Sequence, residues 1–120
     1  MSCPFCNQKN IILRNDLAYA IYDKYPVNKG HMLIIPFRHY PDFFQSTREE
    51  HNALLELLDL CKEYLNREYK PNGYNVGVNC GKAAGQTIWH VHIHLIPRYI
   101  GDTHKPRGGV RGVIPGKMSY

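Results

Sequence analysis

Hydrophobic and polar positions change period several times along the chain. Residues 17–23, LAYAIYD, mix apolar and aromatic side chains and predict a strand. The turn-forming stretch PVNKG follows, and HMLIIP at 31–36 predicts a second strand, so 17–36 reads as a hairpin. The helix is the clearest element. Leu54, Leu55, Leu57, Leu58, Cys61, Tyr64 and Leu65 recur at spacings that make one broad apolar face. Ser46 and Thr47 precede Glu49 and Glu50, which offers two capping boxes, and Pro71, Asn72 and Gly73 end the helix. YNVGVN at 74–79 predicts a third strand, NCGKAAGQT a glycine-rich loop, and VHIHLIP at 91–97 a fourth strand. From GDTHK onward little regular structure is expected beyond an extended arm. A hairpin, a helix and two further strands predict an α+β fold with an antiparallel sheet and one long helix.

The run HVHIHLIPR at 90–98 carries the chemistry. His90, His92 and His94 alternate with Val91, Ile93 and Leu95. Side chains alternate faces along a strand, so the imidazoles share one face while the apolar residues enter the core. A rise of about 3.3 Å per residue puts neighbouring rings roughly 6.6 Å apart, within reach of one ligand. Such a wall suits either a metal or phosphate chemistry.

Bulk properties narrow the choice. A chain of 120 residues is one domain with room for a real core. No apolar run approaches membrane-spanning length, and MSCPFCNQKN has no hydrophobic signal segment. A soluble, cytoplasmic protein is expected, with its four cysteines reduced rather than disulfide-bonded. The formal charge is +5, and Arg98, Lys105, Arg107, Arg111 and Lys117 gather after the histidine run. That charge favours a polyanion. No helix-turn-helix or aromatic-rich RNA-binding pattern points to specific nucleic acid, and a small phosphorylated ligand meets the charge as well. The loop Gly81-Lys82-Ala83-Ala84-Gly85-Gln86-Thr87 lets backbone N–H groups approach an anion, with Gln86 and Thr87 adding donors and Lys82 adding charge.

GQTIWHVHIHLIPR resembles the signature of the histidine triad (HIT) family of nucleotide hydrolases and transferases. KGHMLIIPFRHY and AIYDKYPVNKGH resemble its upstream segments, and the likeness runs in order over roughly residues 3 to 100. The resemblance implies a HIT domain at 1–100, followed by a basic C-terminal arm at 101–120. It implies a homodimer with the two sheets joined across the interface. It further implies that His92 is the nucleophile, attacking an α-phosphorus to form a nucleotidyl-histidine that water or another acceptor resolves. His94 would contact phosphate and assist proton transfer to the leaving group, and His31 would support the triad from a neighbouring strand. Asn79, Gly85, Gln86 and Thr87 would hold phosphate oxygens, and Asp23 the ribose hydroxyls.

Cys3-Pro4-Phe5-Cys6 is a second motif. In a reducing compartment Cys-x-x-Cys reads as metal ligation or redox chemistry, and the βαβ context of a thioredoxin-like site is missing. Two thiolates need two more ligands to close a tetrahedral zinc, and His39, His51, His90 and His104 are the free candidates. The zinc-bearing branch of the HIT family carries the same Cys-x-x-Cys. That resemblance implies Cys3, Cys6, His39 and His90 around a structural Zn2+, leaving His92 and His94 for phosphate. Cys61 falls on the apolar helix face and is expected in the core.

The expected substrates are dinucleoside polyphosphates of the diadenosine tetraphosphate type, or nucleoside phosphoramidates, with phosphorolysis an option. Arg107 and Arg111 in the arm would hold the extra phosphates of the former. Two alternatives stand beside this: a non-catalytic nucleotide-binding regulatory module of the same fold, and a metallohydrolase using the three histidines as catalytic ligands.

Overall fold

The computed structural model describes residues 3–120, so Met1 and Ser2, the start of the expected 1–100 domain, lie outside the described residues. Five strands and one long helix appear in chain order: β1 (Leu13–Arg14), β2 (Ala18–Tyr22), β3 (Met32–Pro36), α1 (Arg48–Glu68), β4 (Gly73–Gly77) and β5 (Ile93–Arg98). The sheet order is β1-β2-β3-β5-β4, every neighbour antiparallel. The expected α+β architecture is therefore present.

Helix α1 starts where its cap chemistry dictates. Of the two possible boxes, the one at Thr47 forms. Glu50 N–H donates to Thr47 Oγ1 at 3.1 Å, and Thr47 N–H donates to Glu50 Oε1 at 2.8 Å. Glu50 also takes a two-pronged ion pair from Arg38, at 2.9 and 2.8 Å, which ties the helix start to the segment leaving β3. At the other end Lys70 adopts a positive φ of 50° and Pro71 cannot continue the helix.

The sheet has two unlike faces. Ala18, Ala20, Met32, Ile34, Ile93 and Leu95 meet Leu54, Leu57, Cys61 and Leu65 of α1 in the main core. The three leucines are fully buried, and each contributes about 1.5–3 kcal/mol relative to exposure. On the opposite face a smaller cluster of Tyr19, Ile21, Leu33 and Ile35 receives Phe5 from the N-terminal segment. The Tyr19 hydroxyl donates to the Phe5 carbonyl and fastens that segment to the sheet. This second face carries the functional groups.

Several details differ from the pattern-based reading. β1 is two residues long, too short to show a period. The fourth predicted strand begins at Ile93 rather than Val91, because Val91 N–H leaves the ladder to bond Tyr40 O at 2.8 Å. His90 and His92 thus lie in the chain leading into β5. The tail is not extended throughout: Gly109–Val113 forms a 3-10 turn packed on β4. Among the described residues, no helix is long and apolar enough to cross a membrane.

Candidate active site

The N-terminal segment folds so that Cys3, Cys6, His39 and His90 present one donor atom each, all within 4.8 Å of one another. Cys3 Sγ lies 3.4 Å from His90 Nδ1, Cys6 Sγ lies 3.4 Å from His39 Nδ1 and 3.7 Å from His90 Nδ1, and the two nitrogens are 3.1 Å apart. Zinc bonds of about 2.3 Å to sulfur and 2.0–2.1 Å to nitrogen give tetrahedral edges of roughly 3.6 Å for S–N and 3.3 Å for N–N. The observed spacings fit those edges. His90 Nε2–H donates to Pro36 O at 2.8 Å, which leaves the Nδ1 lone pair aimed into the cluster. Of the other two histidines considered, His51 stacks on Phe43 at 4.7 Å and His104 is exposed in the tail. Cys61 is buried, and burial pushes its thiol up to about 12.

His92 is not in the cysteine cluster. Its Nδ1 lies 2.8 Å from the carbonyl oxygen of His90. A carbonyl only accepts, so Nδ1 carries the proton and Nε2 holds a free lone pair. Phe5 packs edge-on against His92, ring centroids 5.0 Å apart, and fixes the ring from one side. The three histidines therefore do not converge on one point. His90 joins the cysteines, while His92 and His94 line a cleft.

His94 stands beside His31, with His31 Nε2 and His94 Nδ1 3.0 Å apart. Asp23 Oδ2 is 3.4 Å from His31 Nε2 and 4.0 Å from His94 Nδ1. Burial lowers His31 below the ordinary imidazole range, opposed by Asp23. Burial, with His92 and His31 beside it, pushes His94 down to about 4 against the pull of Asp23. Both rings are neutral near pH 7.

The cleft holds about 940 Å³, at the upper end of ordinary small-molecule sites. Phe5, Ile12, Ile21, Leu33 and Ile88 form apolar walls, while Asp23, Asn79, Gly85, Thr87, His92 and His94 supply the polar side. Gly85 adopts φ 93°, closing the turn Lys82–Ala84 in a conformation that favours glycine. Gln86 does not line the cleft. Its Oε1 accepts Gly81 N–H at 2.8 Å, and its Nε2 donates to Pro41 O at 2.6 Å and Ile88 O at 3.1 Å. That buried side chain is committed to the shape of the loop. Arg107 and Arg111 lie over the Tyr120 ring, 4.7 and 4.9 Å from its centroid, and neither lines the cleft. The sequence singled out none of the apolar wall residues Phe5, Ile12, Ile21, Leu33 and Ile88, and only Phe5 carries a local signal. Its position between two metal-type cysteines is the one signal that could have marked it.

A sequence model of the HIT domain matches residues 5–101. The AP-4-A phosphorylase of Mycobacterium tuberculosis is 32% identical over 95 residues, covering 78% of this chain and 49% of that protein. The chain thus spans about half the length of that relative. The bis(5'-adenosyl)-triphosphatase of Dictyostelium discoideum is 34% identical over 91 residues, covering 76% of this chain and 61% of that protein. Among solved structures, a zinc-bound histidine triad family protein from Mycobacterium smegmatis superposes with a TM-score of 0.78 at 29% identity, covering 87% of this chain and 80% of the other.

Proposed function

Since the chain belongs to the HIT family, we propose that it is a nucleotidyl hydrolase or transferase acting at the α-phosphate of dinucleoside polyphosphates through a nucleotidyl-His92 intermediate. The observation that carries this reading is the His90 carbonyl holding the His92 Nδ1 proton, which presents the Nε2 lone pair as a nucleophile. The relatives named for diadenosine tetraphosphate and triphosphate chemistry support the substrate class.

His92 Nε2 forms a bond to phosphorus as the P–O bond to the leaving group breaks, its electron pair departing on oxygen. The ring becomes cationic, and its Nδ1–H bond to the His90 carbonyl strengthens with the charge. Water or inorganic phosphate then attacks phosphorus, and the N–P pair returns to Nε2; water releases one proton to solvent. His94, neutral at pH 7, gives the departing oxygen a hydrogen bond rather than a full proton. A polyphosphate leaving group tolerates this, because a terminal phosphate has a second pKa near about 6 and leaves as an anion. An amine leaving from a phosphoramidate needs the proton. A neutral His94 therefore favours polyphosphates over phosphoramidates.

In this reading Asn79, Thr87 and the Gly85 backbone, all lining the cleft, would hold phosphate oxygens, Asp23 the sugar hydroxyls and the apolar wall the base. Cys3, Cys6, His39 and His90 would hold zinc. Bound there, the ion would fasten Phe5 and the His90 backbone behind His92, a structural part with no open coordination position.

The test is a panel of diadenosine tetraphosphate, diadenosine triphosphate, adenylyl sulfate and adenosine phosphoramidate, each assayed with and without inorganic phosphate. Turnover of the polyphosphates, and a nucleotide-sized mass adduct that is lost in His92→Ala, are expected. Tight AMP binding with no turnover of any member would replace this reading with a regulatory nucleotide-binding module.

A further inference from the structure

The cleft needs a hydrogen-bond donor at His94, and a neutral imidazole offers one only if the proton sits on the correct nitrogen. The structure fixes that nitrogen from outside the cleft. Val27 N–H lies 3.0 Å from His31 Nδ1. An amide N–H only donates, so His31 Nδ1 is the bare nitrogen and the ring proton sits on Nε2. That proton meets His94 Nδ1 at 3.0 Å, with Asp23 Oδ2 farther off at 3.4 Å. His94 Nδ1 must then accept, which places the His94 proton on Nε2. Among the described residues His94 Nε2 has no protein partner, so it is left for the cleft. The same ordering argues against Asp23, His31 and His94 as a metal site, although their donor atoms lie within 4.8 Å of one another. The His31 nitrogen that faces the group already carries a proton.

The turn that delivers Val27 is clamped by the end of β5 and the residues just after it. Asn28 Nδ2 donates to Pro97 O at 3.1 Å and to Asp102 Oδ2 at 2.8 Å. Arg98 grips Asp102 with Nε and Nη2 at 2.8 and 2.9 Å, and Tyr99 N–H donates to Asp102 Oδ2 at 2.9 Å. The Tyr99 hydroxyl donates to Lys29 O at 2.7 Å. One carbonyl, one carboxylate and one phenol therefore hold a turn whose amide dictates the state of two rings. Asp102 lies one residue beyond the segment matched by the HIT domain.

We propose that Asn28 and Asp102 are positioning residues that hold the Val27 amide against His31 and thereby order the protons of His31 and His94, so that His94 presents an N–H to the substrate. The proposal rests on the phosphoryl chemistry assigned above. Without the clamp, His31 is free to carry its proton on Nδ1 and turn a lone pair toward His94. His94 then carries its own proton on Nδ1 and meets phosphate with a lone pair.

The test reads the protons directly. Two-dimensional 15N NMR of the full chain distinguishes protonated from bare ring nitrogens, and is applied to the unaltered protein, Asn28→Ala, Asp102→Ala and Asp102→Asn. The unaltered protein should show Nε2–H at both His31 and His94. Asn28→Ala and Asp102→Ala should add the Nδ1–H form at both rings while His92 stays Nδ1–H. Asp102→Asn, which keeps an oxygen for Asn28 and Tyr99, should largely restore the order. In parallel, kcat on diadenosine tetraphosphate should fall about ten- to hundredfold in the Ala variants, the value of one hydrogen bond to a charged group, with KM changing less. Because the two Ala variants break the clamp from opposite sides, either one that folds suffices. Unchanged ring protonation in a folded Ala variant would overturn the proposal, as would Nδ1–H at either ring in the unaltered protein. Shifted ring protons in a chain that turns over no substrate would support the ordering and sink the assigned reaction instead.

Discussion

Gly30 offers a sharp test of how the turn before His31 is packed. Its φ is +88°, and a Cβ added there would lie 3.1 Å from Leu65 Cδ2, 3.1 Å from Tyr69 Cδ2 and 3.2 Å from Pro97 Cγ. The end of α1, the end of β5 and the hairpin turn all meet at this point. Gly101 is a natural control, with a φ of +87° and nothing within 4 Å of a built Cβ. In Gly101→Ala the left-handed backbone costs about 1–2 kcal/mol, partly offset by the lower entropy of the unfolded chain, for a net of about 1 kcal/mol. Gly30→Ala has the same backbone cost, and overpacking three neighbours adds about 1–3 kcal/mol, for a total of about 2–4 kcal/mol. An unfolding entropy near 2.1 cal/mol/K per residue gives about 0.25 kcal/mol/K for 120 residues. Thermal melts followed by circular dichroism should therefore place Gly101→Ala about 4 °C below the unaltered protein, and Gly30→Ala about 8–16 °C below it. Equal losses at the two positions would refute the packing argument, because the backbone contribution is common to both.

The metal cluster predicts one equivalent of zinc per chain, absent in Cys6→Ser. With free zinc a thousandfold above its Kd, binding adds about 4 kcal/mol, so a chelator should lower Tm sharply; a chelator-insensitive melt would count against the site. His31 and His94 take up protons less readily folded than unfolded. Acid therefore loads the unfolded chain first. Their contribution is intact above about 6.5 and drains away as pH falls toward about 4 for His94. Urea midpoints measured across that range should slope less in His94→Gln, and an unchanged slope would be the contrary result. Arg38 holds the Glu50 carboxyl below the usual carboxylate range, a gain present above the unfolded value and lost on acidification. Glu50→Gln should lower Tm at pH 7, and the gap should close in acid; a gap that persists there would implicate packing instead. Cys61 should resist alkylation in the native fold and react in denaturant, and ready native labelling would contradict its burial.

The long helix was legible because capping and apolar periodicity agreed: Thr47, Glu50 and the leucine face all point to the same start and orientation. The hairpin was legible for a similar reason, with two apolar runs around a Pro/Asn/Gly turn. The division of labour among the histidines came from the family resemblance, and the geometry brings the same residues together. What escaped depended on partners distant in sequence. Alternation persists through 90–94, whereas the ladder begins only at Ile93, since Tyr40 captures the Val91 amide. Gln86 looks like a phosphate donor until Pro41 and Gly81 are seen to occupy its amide. The tail turn depends on Gly108, where a Cβ would collide with the Met118 carbonyl. The Val27 amide has no side-chain signature at all.

The oxygen that orients His92 belongs to the same residue whose ring faces the cysteines. A saturation-mutagenesis map would therefore score position 90 as a folding position and stay blind to that oxygen, which every amino acid supplies. Only backbone editing reaches it: an ester in place of the amide that follows His90 would weaken the acceptor and leave the imidazole in place, while also removing the Val91 N–H bond to Tyr40 O.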